Sequence, residues 1–449
     1  MSKDIRIKKG LDLKLKGESE KKVSVVSRSK VYAIDPSDFH GMTPKMVVKE
    51  GAKVKAGEVI FYSKNDESVK FVSPVSGTLQ EIVRGEKRVI LQILITADSQ
   101  DIHVEHSKKN PKDLTSQEIK EYLLASGCWP FINQRPYDVI ANSADTPKAI
   151  FVSAYASAPL VSDVDFVLEN RMVAFQAGID ALAKLTPGKV HLSVKGKGKS
   201  ILENINGVSL HKVYGPHPAG NVGVQISKID PINVGDRVWT VAPQDVATIG
   251  DLFLTGKYNA TKTLALSGSE VKDPQYYTII AGAQISDLVR GKIKGKNDRV
   301  ISGDIFTGKK VDENGFLGFY SNTVTVIPEG NVYRMFGWMP FASPSIHTAQ
   351  RTGLSWLMPG KKYAPNTNLN GEERALVVTG EMEHVMPLDI YPMQLLKACM
   401  ANDIDKMENL GIYEVAPEDF ALIDYTNTSK LEAQEIIREA LDLMIKEVG

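Results

Sequence analysis

Apolar residues change their spacing several times along this chain, and each change marks a new kind of element. Between Val47 and Ile82, short alternating runs (Val59–Phe61, Val69–Val72, Thr78–Ile82) are cut by Gly51, Gly57, Pro74 and Gly77. This spacing predicts short strands with tight turns, and Arg88–Thr96 predicts the strand that closes the unit. Asp98–Lys112 is polar, ends near Pro111 and reads as a linker. Its His103 and His106 have no helical pattern around them and are expected to be exposed loop histidines rather than metal ligands.

From Thr115 the spacing becomes helical, with Thr115 and Glu118 set as a capping box and Gly127 as the stop. Strand and helix then alternate. Ala149–Ala156, Lys189–Val194 and Arg237–Ala242 predict strands, Asp163–Leu185 one long helix, and Pro243 opens another. Such alternation predicts a mostly parallel sheet with helices on its faces. A strand over Lys262–Gly268, a short helix over Ala283–Gly291 and a strand over Asn322–Ile327 suggest a small β-grasp module. Beyond Pro328 the chain is rich in Trp, Met and Pro, and it then turns helical at Leu388–Ala401 and Pro417–Ile423. The last helix is expected to open on the pair Ser429 and Glu432 and to bury Ile437, Ala440, Leu441 and Met444. The fold class is thus α/β multidomain: a β-barrel unit at 1–110, a Rossmann-like α/β unit at 113–256, a β-grasp module at 257–328 and a mixed, then helical, unit at 329–449.

At 449 residues, several cores are needed. Lys plus Arg and Asp plus Glu balance at 54 each, so no net field draws the chain to nucleic acid. The opening IRIKKGLDLKLKG has no apolar run behind its basic residues, and no apolar stretch approaches the roughly 18 to 20 residues that span a bilayer. A soluble, cytoplasmic chain is expected. The two cysteines, Cys128 and Cys399, are too few to build a thiolate metal or iron–sulfur site.

KEGAKVKAGEVIF followed by SPVSGTL resembles the biotinyl and lipoyl carrier domains. The position of the carriers' modified lysine, counted back from Pro74, falls on Asp66, which forms no amide to biotin or lipoate. A scaffold is expected, without either group.

IKKGLDLKLKGE (Ile7–Glu18), DFHGMTPKMVVKEG (Asp38–Gly51), GPHPAGNVG (Gly215–Gly223) and VMPLDIYPMQLLKA (Val385–Ala398) run in order along the chain. They resemble the A subunits of Na+-translocating NADH:quinone oxidoreductases, relatives of the Rnf-type C subunit and of the NADH-binding subunit of complex I. Flavin-binding relatives carry a glycine-rich loop after the helix that here ends at Gly127. This chain has Cys128-Trp129-Pro130-Phe131 there, and their C-terminal cysteine cluster is missing. The resemblance therefore implies a peripheral subunit with no FMN and no Fe-S cluster, on the cytoplasmic side of the inner membrane. It would dock on the membrane-embedded B subunit, alongside the other subunits of the complex, and contribute to binding a quinone, ubiquinone or menaquinone. A ligand-free assembly platform is the alternative, and a stand-alone flavoprotein is disfavoured.

Two stretches are candidates for the quinone. Trp129, Phe131, Arg135 and Pro136 offer an aromatic wall and a cation, or else plug a vacated pocket. His217, in the rigid GPHPAG loop, offers a donor to a quinone carbonyl, or else only packs. No catalytic residue and no metal ligand is expected.

Overall fold

The computed structural model of the chain describes residues 4–332, 336, 346–349 and 354–448; much of the Trp-, Met- and Pro-rich stretch after Pro328 lies outside them. Its first unit has a four-stranded sheet, ordered Val31–Ile34, Ile90–Ala97, Gly77–Arg84, Lys53–Val54, and a three-stranded one, Pro44–Met46, Val59–Ser63, Lys70–Val72. All neighbours within the two sheets are antiparallel, and Ile60, Phe61, Leu79, Ile93 and Ile95 fill the space between them. The sequence pattern of short runs and turn residues has this cause: each strand alternates toward a common interior.

The α/β unit is a seven-stranded sheet. Its order is Asp4–Arg6, Ser209–Tyr214, Val190–Lys195, Ile150–Ala154, Val238–Val241, Ile132–Arg135, Val139–Ile140. The first five are parallel, and the last two form an antiparallel hairpin at the edge. Helices Met172–Leu182 and Pro243–Thr255 pack together closely because Gly178 and Gly250 face each other's neighbours. A Cβ on Gly250 would lie 1.7 Å from the Ala174 carbonyl, and one on Gly178 2.0 Å from that of Val246. The long helix expected over 163–185 is broken into Val164–Leu168, a 3-10 turn at Glu169–Arg171, and Met172–Leu182.

The β-grasp unit is a six-stranded sheet with the short helix Ile285–Val289. The C-terminal unit gathers Glu381–Val385, Pro392–Met400, Ile404–Asn409, Pro417–Thr426 and Ala433–Glu447 around Leu396, Phe420, Leu441 and Met444.

Three local expectations are corrected. Residues 4–25 do not stay with the first β unit: Asp4–Arg6 joins the α/β sheet beside Ser209–Tyr214, and Glu20–Val25 joins the β-grasp sheet beside Gln275–Ile280. Helix Ala433–Glu447 is not opened by Ser429, whose hydroxyl donates to the Ala375 carbonyl. Asp424 caps it instead, accepting from the backbone N–H of Ala433 at 2.5 Å and of Gln434 at 3.4 Å. His103 and His106 are half-buried, because their backbone pairs with Ala56 and with Gly256 respectively.

Candidate functional site: a cleft at the switch point of the parallel sheet

From Ile150–Ala154 the chain winds outward through Val190–Lys195 to Ser209–Tyr214, then returns to place Val238–Val241 on the opposite flank of Ile150–Ala154. Connections leave these two strands in opposite directions, so a crevice opens beyond their carboxyl ends. A cleft of about 950 Å³ occupies it. Ser153, Tyr155 and Ser157 line it at and beyond the end of one strand, Ala242 and Gln244 beyond the other, and Asn221 at the start of helix Val222–Ile229. Other modules close it: Asp38 and His40 from the barrel, Asp304 and Lys309 from the β-grasp unit, and Glu418 from the C-terminal helices. The walls mix apolar side chains such as Val161 and Val241 with hydroxyl, amide and carboxylate groups.

Arg135 reaches this cleft, but as the centre of an ion cluster. Its side chain is 2% exposed. Nη2 donates to Glu418 Oε1 at 2.7 Å and Nη1 to Asp419 Oδ2 at 3.2 Å, while Nε lies 3.5 Å from Asp138 Oδ1. Burial works against the guanidinium's charge, yet Asp138, Asp419 and Glu418 outweigh it and hold Arg135 ionised. One cation therefore faces three carboxylates. Burial, and then crowding by the other acids, pushes the carboxyl groups of Glu418 and Asp419 upward in spite of Arg135. Gly223, from the GPHPAGNVG stretch, allows this cluster its close packing, since a Cβ there would sit 2.6 Å from Asp419 Oδ2.

His217 lies behind the cleft wall, 3% exposed. Its Nδ1 is 3.1 Å from the Ser157 hydroxyl, its ring stacks on Phe306, and its Nε2 is buried without a partner among the described residues. Ser157 Oγ also accepts the Gly220 N–H at 2.8 Å, so its own proton is free for Nδ1 and the Nε2–H tautomer follows. Burial pushes the imidazole down to about 4, only partly offset by Asp304 and Asp12, so the ring is neutral.

The remaining candidates are interior packing groups, not a ligand-facing wall. Trp129 is wholly buried, donates Nε1–H to the Ala141 carbonyl at 2.7 Å and meets Trp239 edge-on. Phe131 is sandwiched between Tyr258 and Phe319, and Pro136 is buried. The cleft thus brings Arg135 together with residues flanking His217, and leaves Trp129, Phe131 and Pro136 behind it. In the Gly127–Phe131 turn the N–H groups of Gly127 and Cys128 bond to the Leu123 carbonyl of the preceding helix and that of Phe131 to the Cys128 carbonyl, and Pro130 has none to offer. At the first unit's hairpin tip, Asp66 accepts from the Ser143 hydroxyl at 2.6 Å, which pins the tip to the α/β unit.

Asp138, Asp304, Glu418 and Asp419 escape a reading of the sequence. PEDF at 417–420 reads as the first turn of a helix, where acids are ordinary, and the partner Arg135 is 284 residues from Asp419. Only the approach of Gly223 to the cluster carries a trace of it, inside a loop that is unusual in its own right. Among the described residues no group of three or more His, Cys, Asp or Glu is placed to hold a metal ion, and no helix is long and apolar enough to cross a membrane.

Three family models match. Residues 5–98 match "NqrA N-terminal barrel-sandwich hybrid domain", 114–258 "NqrA second alpha/beta domain" and 263–313 "NQRA C-terminal domain". The A subunit of the Na(+)-translocating NADH-quinone reductase of Marinomonas sp. is 36% identical over 98% of this chain and 99% of its own length. That of Neisseria meningitidis serogroup B is 35% identical over 99% and 100%. That of Serratia proteamaculans is 35% identical over 97% and 98%. Among solved structures, a chain of NAD+-reducing [NiFe]-hydrogenase in the air-oxidized state aligns with a TM-score of 0.40 and 13% identity, over 74% of this chain and 62% of that one.

Proposed function

We infer the role of this chain from the premise that it belongs to the family of A subunits of the Na(+)-translocating NADH-quinone reductase. It is one subunit of that multi-subunit oxidoreductase, in which NADH–quinone chemistry is coupled to Na+ translocation. The observation that carries this reading is identity over essentially the whole length of the relatives, not over one module.

The finer reading is that the chain sits at the cytoplasmic face, docks on the membrane-embedded B subunit and holds no redox centre of its own. Three features support it. The N–H groups of Gly127, Cys128 and Phe131 are spent on nearby carbonyls and Pro130 has none, which leaves too few donors to cradle a flavin phosphate, and the hairpin tip is pinned at Asp66, where a carrier would swing a lysine. No helix of the described residues would anchor the chain, so attachment falls to a partner.

Quinone binds, in this reading, in the cleft at the switch point rather than against Trp129 and Phe131. The cleft is large enough for a headgroup and pairs apolar walls with donors near the sheet. Calorimetric titration of the full chain with a short-chain ubiquinone tests it, on wild type and on Ala156→Trp, which fills the cleft from an exposed position. Saturable binding lost in Ala156→Trp supports the site. Binding that survives the substitution moves the ligand elsewhere, and no saturable binding in wild type leaves an assembly platform.

A further inference from the structure

We propose that Glu418 holds the spare proton of the Arg135 cluster and presents it, as a hydrogen bond, to a carbonyl oxygen of the neutral ligand in the cleft. The ligand half of this proposal rests on the quinone reading above; the proton half rests on the cluster alone.

The argument begins with charge. Arg135 is buried, and its three nitrogens face Asp138, Glu418 and Asp419, so one positive charge meets three acids. Two further groups reach the cluster from neighbouring elements. Arg438, from helix Ala433–Glu447, spends Nη1 on the backbone carbonyls of Tyr137 and Asp138, at 2.8 Å and 3.3 Å. It also forms an ion pair with Asp442 at 2.8 Å. His40, from the barrel, is held toward its neutral form, first by burial and then by Arg438 and Lys309. Neither balances the excess negative charge, and in a low-dielectric pocket such an excess is relieved by taking up a proton.

Which acid takes it follows from the hydrogen bonds. Asp419 Oδ2 accepts two donors, the Arg135 guanidinium at 3.2 Å and the Ala416 N–H at 3.0 Å, both of which favour its anion; its Oδ1 is buried without a partner among the described residues, and Asp419 does not line the cleft, so it has no proton to offer there. Asp138 is about as exposed as Glu418, and its Oδ1 lies 3.5 Å from Arg135 Nε. Glu418 spends Oε1 on Arg135, and among the described residues no hydrogen bond reaches Oε2. Its side chain is 35% exposed and lies on the cleft wall. A proton on Oε2 breaks no contact and points where a ligand would be. Burial, with Asp419 and Asp138 beside it, raises its affinity for that proton.

The rest of the cleft selects against anions. Asp35, Asp38, Asp138 and Asp304 line it, while Lys309 is paired with Asp38 at 3.0 Å and Lys310 with Glu329 at 3.0 Å. A phosphate would meet net negative charge, whereas a neutral molecule with carbonyl acceptors meets a donor.

The test has two arms on the full chain. Infrared titration of ligand-free protein reads the proton: wild type shows a protonated-carboxyl band at about pH 6 that fades by about pH 8 and is missing in Glu418→Gln. Asp419→Asn, which removes one competing acid and retains Glu418, moves the fading to lower pH and serves if Glu418→Gln fails to fold. Calorimetry with short-chain ubiquinone reads the ligand. Wild-type affinity falls roughly fivefold to tenfold between about pH 6 and about pH 8 as one donor is lost. Glu418→Gln, whose amide still donates, binds equally at both. A band unchanged by Glu418→Gln overturns the proposal, as does a pH dependence that survives it. The band without any quinone binding overturns the ligand half together with the functional reading, and is thereby distinguished from a failure of the proton assignment.

Discussion

The imidazole of His217 lies parallel to the ring of Phe306, their centroids 5.0 Å apart and their planes within 9°. One ring belongs to the α/β unit and the other to the β-grasp unit, so the stack joins two modules through a group that must stay neutral. Unfolded, His217 regains an ordinary pKa of 6.5 against about 4 in the fold. The unfolded chain then binds more protons between these values, so stability rises with pH across that window and is fully present above it. The contribution is of order 3 kcal/mol. Urea unfolding in steps from about pH 4 to about pH 7 should show that rise, and His217→Gln should flatten it. An equal slope in the variant would assign the rise to other groups.

Arg135→Ala leaves three acids around an empty centre and is expected to cost about 3–5 kcal/mol in urea unfolding. Adding Asp419→Asn to that variant should recover part of the loss, because the pair is coupled. A cost below about 1 kcal/mol would mean that the cluster is solvated rather than buried.

The two candidate caps of helix Ala433–Glu447 make opposite predictions for amide exchange. Asp424→Ala should speed exchange at Ala433 and Gln434 and cost about 1 kcal/mol. Ser429→Ala should leave those amides protected, since its hydroxyl serves the Ala375 carbonyl.

Asp66→Ala removes the carboxylate that accepts from Ser143, leaving the tip only the Ser68–Ser143 hydroxyl contact at 3.1 Å, and should hasten limited proteolysis near residues 64–68. Unchanged cleavage would show that packing and the Ser68–Ser143 contact hold the tip without Asp66.

These cases also show what can be read from the chain. The capping box at Thr115 and Glu118 and the left-handed stop at Gly127 are legible because cap and helix share one short stretch. Ser429 and Glu432 carry the same signal and mislead, because Asp424, from the preceding helix, competes for the same N–H groups. Alternating strands and helices point to the parallel sheet, and hence to the switch point, without any knowledge of ligands. The aromatic residues at Trp129 and Phe131 read equally well as wall or filling, since residue type does not say which side of a sheet faces a crevice. Arg135 stands out locally, but two of its partners come from the far end of the chain, where no local period points back to it.

The displaced segment at residues 4–25 has a consequence for assembly in time. It emerges from the ribosome well before either of its neighbouring strands, Ser209–Tyr214 and Gln275–Ile280, exists. Until then its backbone groups have only water for partners, and the edges of two unfinished sheets stay open. Completion of the α/β and β-grasp sheets is therefore necessarily late, and pairings between residues more than two hundred positions apart make it slow. Made before either partner strand, residues 4–25 act as a late clasp, and a nascent chain halted before residue 280 would carry that clasp with the second of its partner strands unfinished.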